Sequence, residues 1–226
     1  MLEVGCGHGR VTLALVDSGC RIVGVDRDPV ALSFLRQSLN DLPEGARSRI
    51  TLVEGDILDF QSQELFGAVI VPCNTFSTFS PRERQALVQK AHSILKDGGL
   101  LAASLPNPLE MFDQLAELEG ENGLGETDWE TSFLHPESGD PVEVNSRISS
   151  VAGEPNALRW EWIYDQLSPD GGVNREIVST VHFPALPEEL SAELAHMGFS
   201  KTVFLGDFFG AQYQVDSPYL IFTSEK

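Results

Sequence analysis

A glycine-rich segment with an acid at its head lies near the start of the chain. Residues 3–9 read EVGCGHG, so three glycines alternate with other residues directly after Glu3. Glycine allows sharp turns and close approach of the backbone to a ligand, where a Cβ would collide. The N–H groups and positive dipole end of a following helix favour a carboxylate. The pattern therefore predicts a ligand-binding loop, with a plain strand-to-helix turn as the simpler alternative.

Two further acids stand where a nucleoside could be bound. Asp26 follows the first glycine by about 20 residues, the position of a ribose-binding acid in dinucleotide folds, whereas Asp28, directly before Pro29, suits a helix N-cap. Asp56 in VEGDI could accept from an exocyclic amine or simply close a turn. A dinucleotide site calls for G-x-G-x-x-G. The spacing here is G-x-G-x-G, which disfavours a nicotinamide-dependent oxidoreductase, although the α/β layout alone does not exclude one.

The elements that must position these residues alternate along the first hundred residues between short apolar runs and helix-like segments. This alternation is typical of βαβ units and a parallel sheet. The predicted strands are Leu2–Val4, Arg21–Val25, Ile50–Val53, Phe66–Val71 and Leu100–Ser104. The predicted helices are Arg10–Asp17, a segment from Pro29 with Leu32, Leu35 and Leu39 on one face, and Pro81–Leu95.

Beyond Pro106 the pattern changes to strands separated by turn signals. A short helix at Glu110–Leu118 and a polar stretch at Glu119–Asp128 come first. The predicted strands of this antiparallel meander are Thr131–Leu134, Val142–Val151, Leu158–Leu167 and Val173–Phe183. A helix at Pro187–Met197 and strands at Ser200–Leu205 and Tyr219–Thr223 close the chain.

Charge restricts the partners. The chain has 15 Lys and Arg against 34 Asp and Glu, a net charge of −19. Such a field repels nucleic acids and anionic membranes, and it favours a small neutral or cationic substrate unless the acidity merely aids solubility. The start lacks a secretory signal, and no apolar run approaches the roughly 20 residues of a membrane span. Three cysteines without metal-ligand spacing predict a reduced, cytoplasmic protein without a metal site.

Five segments fall in the order and spacing of one known family. They are LEVGCGHGR, GVDRDP, VEGDILDF, FGAVIVPCNTF and LKDGGLLAASLPNP. Over about residues 1 to 105 the chain resembles class I S-adenosylmethionine-dependent methyltransferases. The remainder resembles small-molecule methyltransferases with an antiparallel excursion, including glycine and amino-sugar N-methyltransferases. The expected fold is α/β, a Rossmann-like doubly wound sheet that is parallel except for an antiparallel last strand. Residues 1–105 and 184–226 would form the cofactor-binding core, and residues 106–183 an inserted antiparallel β layer.

The resemblance also implies roles for individual residues toward the cofactor S-adenosylmethionine. Gly5, Gly7 and Gly9 would line its methionine part, and Glu3 would support the methionine amine. Asp26 would hold the ribose, with Arg27 beside it in the site. Asp56 and Ile57 would contact the adenine, and the carbonyl of Pro72 would reach the methionine amine.

The acceptor is less defined. Methyl transfer from a sulfonium is an in-line displacement to which positioning contributes much; a hydroxyl acceptor also needs a base, whereas an amine needs only to be unprotonated. Candidate polar groups are Asn74, His135, Tyr164, His182, Asp207 and Tyr213, with His8 expected to shape the glycine loop. Candidate pocket walls, unless they are core residues, are Trp129, Trp160, Trp162, Phe208 and Phe209. No catalytic residue is assigned.

The expected partner is a small-molecule methyl acceptor with an N or O nucleophile, bound by the inserted layer, which could also form a homodimer. A cofactor-binding module with little or no activity remains the alternative. The resembling families carry helical sequence before the first strand. We therefore expect roughly 30–40 upstream residues, the length of two short helices, to tighten cofactor binding and raise thermal stability.

Overall fold

The predicted βαβ units fold as one seven-stranded sheet. A computed structural model describes residues 1–16, 18–120 and 124–226. The strands are β1 (Leu2–Val4), β2 (Ile22–Asp26), β3 (Ile50–Glu54), β4 (Phe66–Val71), β5 (Leu95–Pro106), β6 (Leu124–Leu134), β7 (Pro141–Val151), β8 (Glu154–Leu167), β9 (Val173–His182), β10 (Ser200–Leu205) and β11 (Tyr219–Glu225). The helices are α1 (Arg10–Val16), α2 (Pro29–Asn40), α3 (Glu44–Arg47), α4 (Pro81–Ile94), α5 (Pro108–Gly120) and α6 (Pro187–His196), with a 3-10 turn at Thr75–Thr78.

The strand order β10-β11-β5-β4-β1-β2-β3 defines a doubly wound sheet. Only β11 runs antiparallel to its neighbours β5 and β10. The chain proceeds from β1 outward through β2 and β3, then returns to add β4 and β5 on the other side of β1. This reversal creates a crevice at the carboxyl ends of β1 and β4, where open α/β sheets bind ligands. The predicted fold class is therefore confirmed.

Burial explains why these segments form inner strands. β4 is the apolar run FGAVIV, and its Val69 and Val71 are fully buried, as expected for a parallel strand covered on both faces. In β1, Leu2 and Val4 are equally buried, and the charged Glu3 lies buried between them.

Helix starts follow from local chemistry. Asp28 is the N-cap of α2 and accepts hydrogen bonds from the backbone N–H groups of Val30 and Ala31, so its N-cap prediction is confirmed. Ser80 and Glu83 form a capping box at α4. Helix α1 ends at Val16, and Asp17, the predicted last residue of that helix, lies outside the described residues.

The chain divides into two compact units. Unit 1 comprises residues 1–107 and 185–226, and unit 2 comprises residues 108–184. Unit 2 consists of α5 and an antiparallel sheet of order β6-β7-β8-β9. Within it, α5 contributes Met111, Leu115 and Leu118 to an apolar cluster with Leu158 and Trp160. Among the described residues, no helix is long and apolar enough to cross a membrane.

Several strand boundaries differ from the sequence prediction, and the largest differences are at the starts of β6 and β5. Strand β6 begins at Leu124 rather than Thr131, so part of the predicted polar stretch is strand; residues 121–123 of that stretch lie outside the described residues. β6 is an edge strand, and its residues 127–134 are exposed. Its pairing with β7 defines the strand, whereas its sequence has no apolar pattern that would predict one. Strand β5 begins at Leu95 rather than Leu100, because residues 96–99 lie within the strand, where its register with β4 is irregular.

Candidate active site

The sheet brings the predicted site residues to one edge. Strands β4, β1, β2 and β3 are adjacent and parallel, so the segments that follow them lie side by side. These segments contain Gly5, Gly7 and Gly9 after β1, Asp26 and Arg27 at the end of β2, Asp56 and Ile57 after β3, and Pro72 after β4. The edge is the carboxyl edge of the sheet, at its topological switch point.

The three loop glycines all adopt left-handed backbone conformations, but their surroundings differ. The φ angles of Gly5, Gly7 and Gly9 are 71°, 48° and 89°. A Cβ at Gly9 would overlap Cδ1 of Leu35, and one at Gly5 would lie 2.7 Å from Cγ2 of Thr75. A Cβ at Gly7 would find only Oδ2 of Asp26, at 3.9 Å. Packing within unit 1 therefore requires Gly5 and Gly9 to lack a Cβ, whereas the space beside Gly7 is open.

Asp26 ties the end of β2 to the glycine loop. Its Oδ2 accepts from the N–H of Gly7 at 2.6 Å, and its Oδ1 accepts from the N–H of Asp28 at 2.9 Å. A carboxylate oxygen has two lone pairs, so each oxygen retains capacity for a ligand hydroxyl. Arg27, the next residue, is exposed to solvent.

Glu3 is a buried acid beneath the loop. Only 1% of its surface is exposed, and its Oε2 accepts from the hydroxyl of Thr12 at 2.6 Å. Burial raises the pKa of Glu3 to about 7; the Thr12 hydrogen bond opposes this shift and the charge of Asp26 adds to it. A buried carboxylate without a cation is costly, so the position suits a cationic ligand group.

The end of β4 carries a feature that the sequence analysis missed. Cys73 and Asn74 both have left-handed backbones, with φ of 56° and 62°. For residues other than glycine, each costs on the order of 1–3 kcal/mol, and such strain clusters at functional sites. Asn tolerates this conformation, and the presence of Asn74 was the only feature of the sequence that could have predicted the turn. The turn leads into the 3-10 helix, whose Thr75 donates its N–H to the carbonyl of Pro72 at 3.1 Å.

The residues after β3 show a local turn. Asp56 is exposed, and its Oδ1 accepts from the N–H of Leu58 at 2.8 Å. Ile57 is buried in the main core cluster, so only its backbone is available to a ligand. His8 is exposed on the glycine loop, with its ring 5.5 Å from that of Phe34.

A second loop of unit 1 reaches the same edge of the sheet. Because β11 is antiparallel to β5, with Tyr219 opposite Pro106, the loop 206–218 before β11 lies at the carboxyl end of β5. Phe209 in this loop is 98% exposed and Phe208 is 69% exposed. Asp207 accepts from the N–H groups of Ala211 and Phe209, which lower its pKa.

Buried Asn107 anchors this loop. Asn107 is 3% exposed at the end of β5. Its Nδ2 donates to the carbonyls of Val215 and Ser217 at 2.8 and 2.9 Å, and its Oδ1 accepts from the hydroxyl of Tyr213 at 2.8 Å. Tyr213, a candidate polar group, therefore contributes to a structural hydrogen-bond network.

Unit 2 groups several of the remaining candidates. Trp160, Trp162 and Tyr164 alternate along β8 and so share one sheet face. The ring of His182 lies 4.5 Å from that of Trp160, and its Nε2 is 2.7 Å from the hydroxyl oxygen of Thr180. Burial lowers the pKa of His182 to about 4, so its ring is neutral at physiological pH.

The other unit 2 candidates lie in the region of β6. His135 occupies the turn after β6, where its Nδ1 accepts from the N–H groups of Glu137 and Ser138. Trp129, on β6, is exposed.

Comparison with known proteins agrees with this arrangement. Residues 1–99 match the family model of a methyltransferase domain. A carboxy-S-adenosyl-L-methionine synthase of Aliivibrio salmonicida is 33% identical over 110 residues, which cover 45% of this chain and 42% of that protein. The chain therefore aligns with less than half the length of this relative.

Solved structures share the fold over nearly the whole chain. The CcbJ methyltransferase from Streptomyces caelestis has a TM-score of 0.77 at 19% identity, covering 99% of this chain and 87% of that one. CalS10, an amino pentose methyltransferase from Micromonospora echinaspora, has a TM-score of 0.65 at 19% identity, covering 99% and 81%.

The fold and the glycine-loop edge define a class I methyltransferase architecture. Residues 1–99 match a methyltransferase domain, and the solved structures that share the fold include a glycopeptide N-methyltransferase complexed with S-adenosylmethionine. The resemblance inferred from the sequence motifs is confirmed.

Proposed function

We propose that this chain transfers the methyl group of S-adenosylmethionine to a small-molecule amine or hydroxyl. The observation that carries the proposal is the grouping, at the switch point of the sheet, of a glycine loop, the buried Glu3 and the partly exposed Asp26. A nucleoside with a cationic amino-acid tail matches this set of groups. The hydroxyls would pair with Asp26 and the ammonium with Glu3.

The remaining predicted contacts extend this pose. The carbonyl of Pro72 accepts one hydrogen bond, from Thr75, and a second lone pair remains for the methionine ammonium. Gly5, Gly7 and Gly9 would follow the methionine chain, with Arg27 beside the ribose. The adenine would lie along Asp56 and the backbone of Ile57.

The reaction needs little covalent catalysis by the protein. The acceptor lone pair forms a bond to the methyl carbon as the S–CH3 bond breaks, and its electron pair leaves on sulfur as the neutral thioether S-adenosylhomocysteine. An amine acceptor becomes an ammonium, which then releases its proton to solvent. The protein's contribution is to hold donor and acceptor in line, which can supply several kcal/mol of the barrier reduction, up to about 7–11 kcal/mol.

An amine acceptor is favoured over a hydroxyl. The net charge of −19 attracts cationic amines, and the fold neighbour CalS10 acts on an amino pentose. Exposed Phe208 and Phe209 at the carboxyl end of β5 offer an apolar surface for the body of an acceptor.

Calorimetric titration with S-adenosylmethionine and with NAD tests the cofactor. We expect binding of the first only, and binding of NAD alone would refute the proposal. Turnover with paired amine and hydroxyl acceptors, followed by mass spectrometry, tests the reaction. Binding without any turnover would identify a cofactor-binding module instead.

The ribose contact has a separate test. Asp26→Ala should weaken the binding of S-adenosylmethionine by about 1.5–3 kcal/mol, the range for hydrogen bonds to a charged group. Asp41→Ala, at the exposed C-cap of α2, is the matched control and should bind normally. The unaltered chain should bind S-adenosylmethionine more tightly than its 2′,3′-dideoxy analogue, and this discrimination should disappear in Asp26→Ala. Retained discrimination in Asp26→Ala would exclude this carboxylate as the ribose ligand.

A further inference from the structure

Thr12 is a fully buried polar residue on the helix that follows the glycine loop. It lies in the first turn of α1 with 0% of its surface exposed. A helical threonine commonly directs its hydroxyl to a backbone carbonyl of the preceding turn. Here the hydroxyl donates instead to Oε2 of Glu3 at 2.6 Å, across nine positions of sequence.

This contact controls the state of Glu3. Among the described residues, the charged group that shifts the pKa of Glu3 is Asp26 from β2, and Glu3 in turn raises the pKa of the Cys6 thiol in the glycine loop; neither neighbour is a cation. Burial and Asp26 favour the neutral carboxyl, whereas the hydroxyl of Thr12 favours the carboxylate. Thr12 is therefore the neighbour that opposes protonation of Glu3.

The contact also fixes the orientation of Glu3. With Oε2 occupied by Thr12, the structure gives no hydrogen bond to Oε1 among the described residues. A carboxylate held at one oxygen presents the other in a defined direction, which preorganises it for a ligand donor.

We infer that Thr12 is a positioning residue for the methyl donor: its hydroxyl holds the Glu3 carboxylate so that the second oxygen receives the methionine ammonium of S-adenosylmethionine. This role rests on the proposed function. Thr12 itself need not touch the cofactor, and it acts through Glu3.

Two substitutions separate the hydroxyl from the volume of the side chain. Thr12→Val keeps the shape and removes the donor, whereas Thr12→Ser keeps the donor. The probes are S-adenosylmethionine and 5′-methylthioadenosine, which shares the nucleoside and lacks the amino-acid tail. Affinities are measured by calorimetry between pH 6 and pH 9, and melting without ligand shows that each variant is folded.

At pH 7, Thr12→Val should lower the affinity for S-adenosylmethionine roughly tenfold or more, as expected for the loss of a hydrogen bond to a charged group. Binding of 5′-methylthioadenosine should be unchanged. The pH midpoint for S-adenosylmethionine binding should move upward in Thr12→Val, because the pKa of Glu3 rises without its donor. Thr12→Ser should restore both the affinity and the midpoint.

Other results overturn the inference. If Thr12→Val lowered the affinities for both probes equally, Thr12 would have a purely structural role. If neither the affinity for S-adenosylmethionine nor the pH midpoint of its binding changed, Thr12 would have no role in binding. If Thr12→Val does not fold, Thr12→Ser and Thr12→Ala are compared in the same way. In a Glu3→Gln background, Thr12→Val should have no further effect on the ratio of the two affinities; a further loss would refute action through Glu3. Failure of the unaltered chain to bind either probe would refute the proposed cofactor itself.

Discussion

At the residue scale, the loop glycines differ in their surroundings: side chains pack against Gly5 and Gly9, whereas the space beside Gly7 is open. Gly7→Ala should leave the fold largely intact, because its Cβ would find only Asp26 at 3.9 Å and the left-handed backbone adds about 1–2 kcal/mol. It should weaken S-adenosylmethionine markedly, since the methyl group enters the open side of the loop. Calorimetry and thermal melting measure the two effects.

Gly9→Ala is the matched control for this prediction. Its Cβ would overlap Leu35 on α2, so stability should fall more than in Gly7→Ala. A folded Gly7→Ala variant with unaltered cofactor affinity would contradict the assignment of the loop.

Glu3 should make apo stability and cofactor affinity respond to pH in opposite directions. Its pKa is about 7 in the folded chain, against an ordinary 4.5. A raised carboxyl pKa contributes stability that is fully present below 4.5 and is lost as the pH rises through 7. The loss amounts to about 3 kcal/mol between these limits. The proposed contact with the methionine ammonium requires the carboxylate, so the affinity for S-adenosylmethionine should instead increase as Glu3 deprotonates.

Glu3→Gln provides the control for both trends. Subtracting its unfolding free energy at each pH from that of the unaltered chain removes the effect of the other acids. The difference should favour the unaltered chain progressively as the pH falls from 8 to 5. A difference that does not vary with pH would mean that Glu3 titrates in its ordinary range.

At the element scale, local patterns predicted most of unit 1. The apolar run of β4 and the Asp28-Pro29 start of α2 are encoded by neighbouring residues, so periodicity and capping rules suffice. The position of Asp26 beside the glycine loop was also predictable, because βαβ topology determines which strand ends are neighbours.

Features created by long-range pairing were beyond such rules. Residues 127–134 of β6 are exposed and show no buried apolar face, and the pairing of β6 with β7 defines the strand. The left-handed turn at Cys73 and Asn74 is stabilised by what surrounds it, including the N–H and hydroxyl of Ser77, which donate to the carbonyl of Asn74. The contact of Thr12 with Glu3 requires α1 to pack on β1, which no local spacing shows.

Asn107 should stabilise the loop 206–218 without contributing to cofactor affinity. Asn107→Ala removes the bonds to Val215, Ser217 and Tyr213, and it should lower the free energy of unfolding by about 1–3 kcal/mol. The loop should become more sensitive to proteolysis, while affinity for S-adenosylmethionine stays constant. Urea titration, limited proteolysis and calorimetry measure these outcomes.

Tyr213→Phe is the graded control for Asn107. It removes the hydroxyl that donates to Oδ1 of Asn107 and leaves the two carbonyl contacts in place, at a cost of about 1 kcal/mol. If Asn107→Ala were no more protease-sensitive than Tyr213→Phe, the carbonyl contacts of Asn107 would not hold the loop. A large loss of cofactor affinity in either variant would show coupling to the glycine loop.

At the scale of the whole molecule, the net charge of −19 sets the field that a ligand meets. Near neutral pH, S-adenosylmethionine carries one positive charge more than its product S-adenosylhomocysteine, because the sulfonium has become a thioether. A strongly acidic protein therefore attracts the donor more than the product. For the proposed methyl transfer, this difference would favour exchange of product for fresh donor after each turnover.

Salt should reveal this long-range contribution. The Debye length falls from about 10 Å at 0.1 M to about 3 Å at 1 M, so exposed charges away from the ligand are screened. Raising sodium chloride from about 0.02 M to about 0.5 M should weaken S-adenosylmethionine several-fold and leave S-adenosylhomocysteine nearly unchanged. Sinefungin, in which an amine replaces the sulfonium, should follow the donor. Calorimetry with the three ligands at each salt concentration measures the slopes. Parallel slopes for donor and product would mean that only the close carboxylates, Glu3 and Asp26, distinguish them and that the remaining acidity serves another purpose.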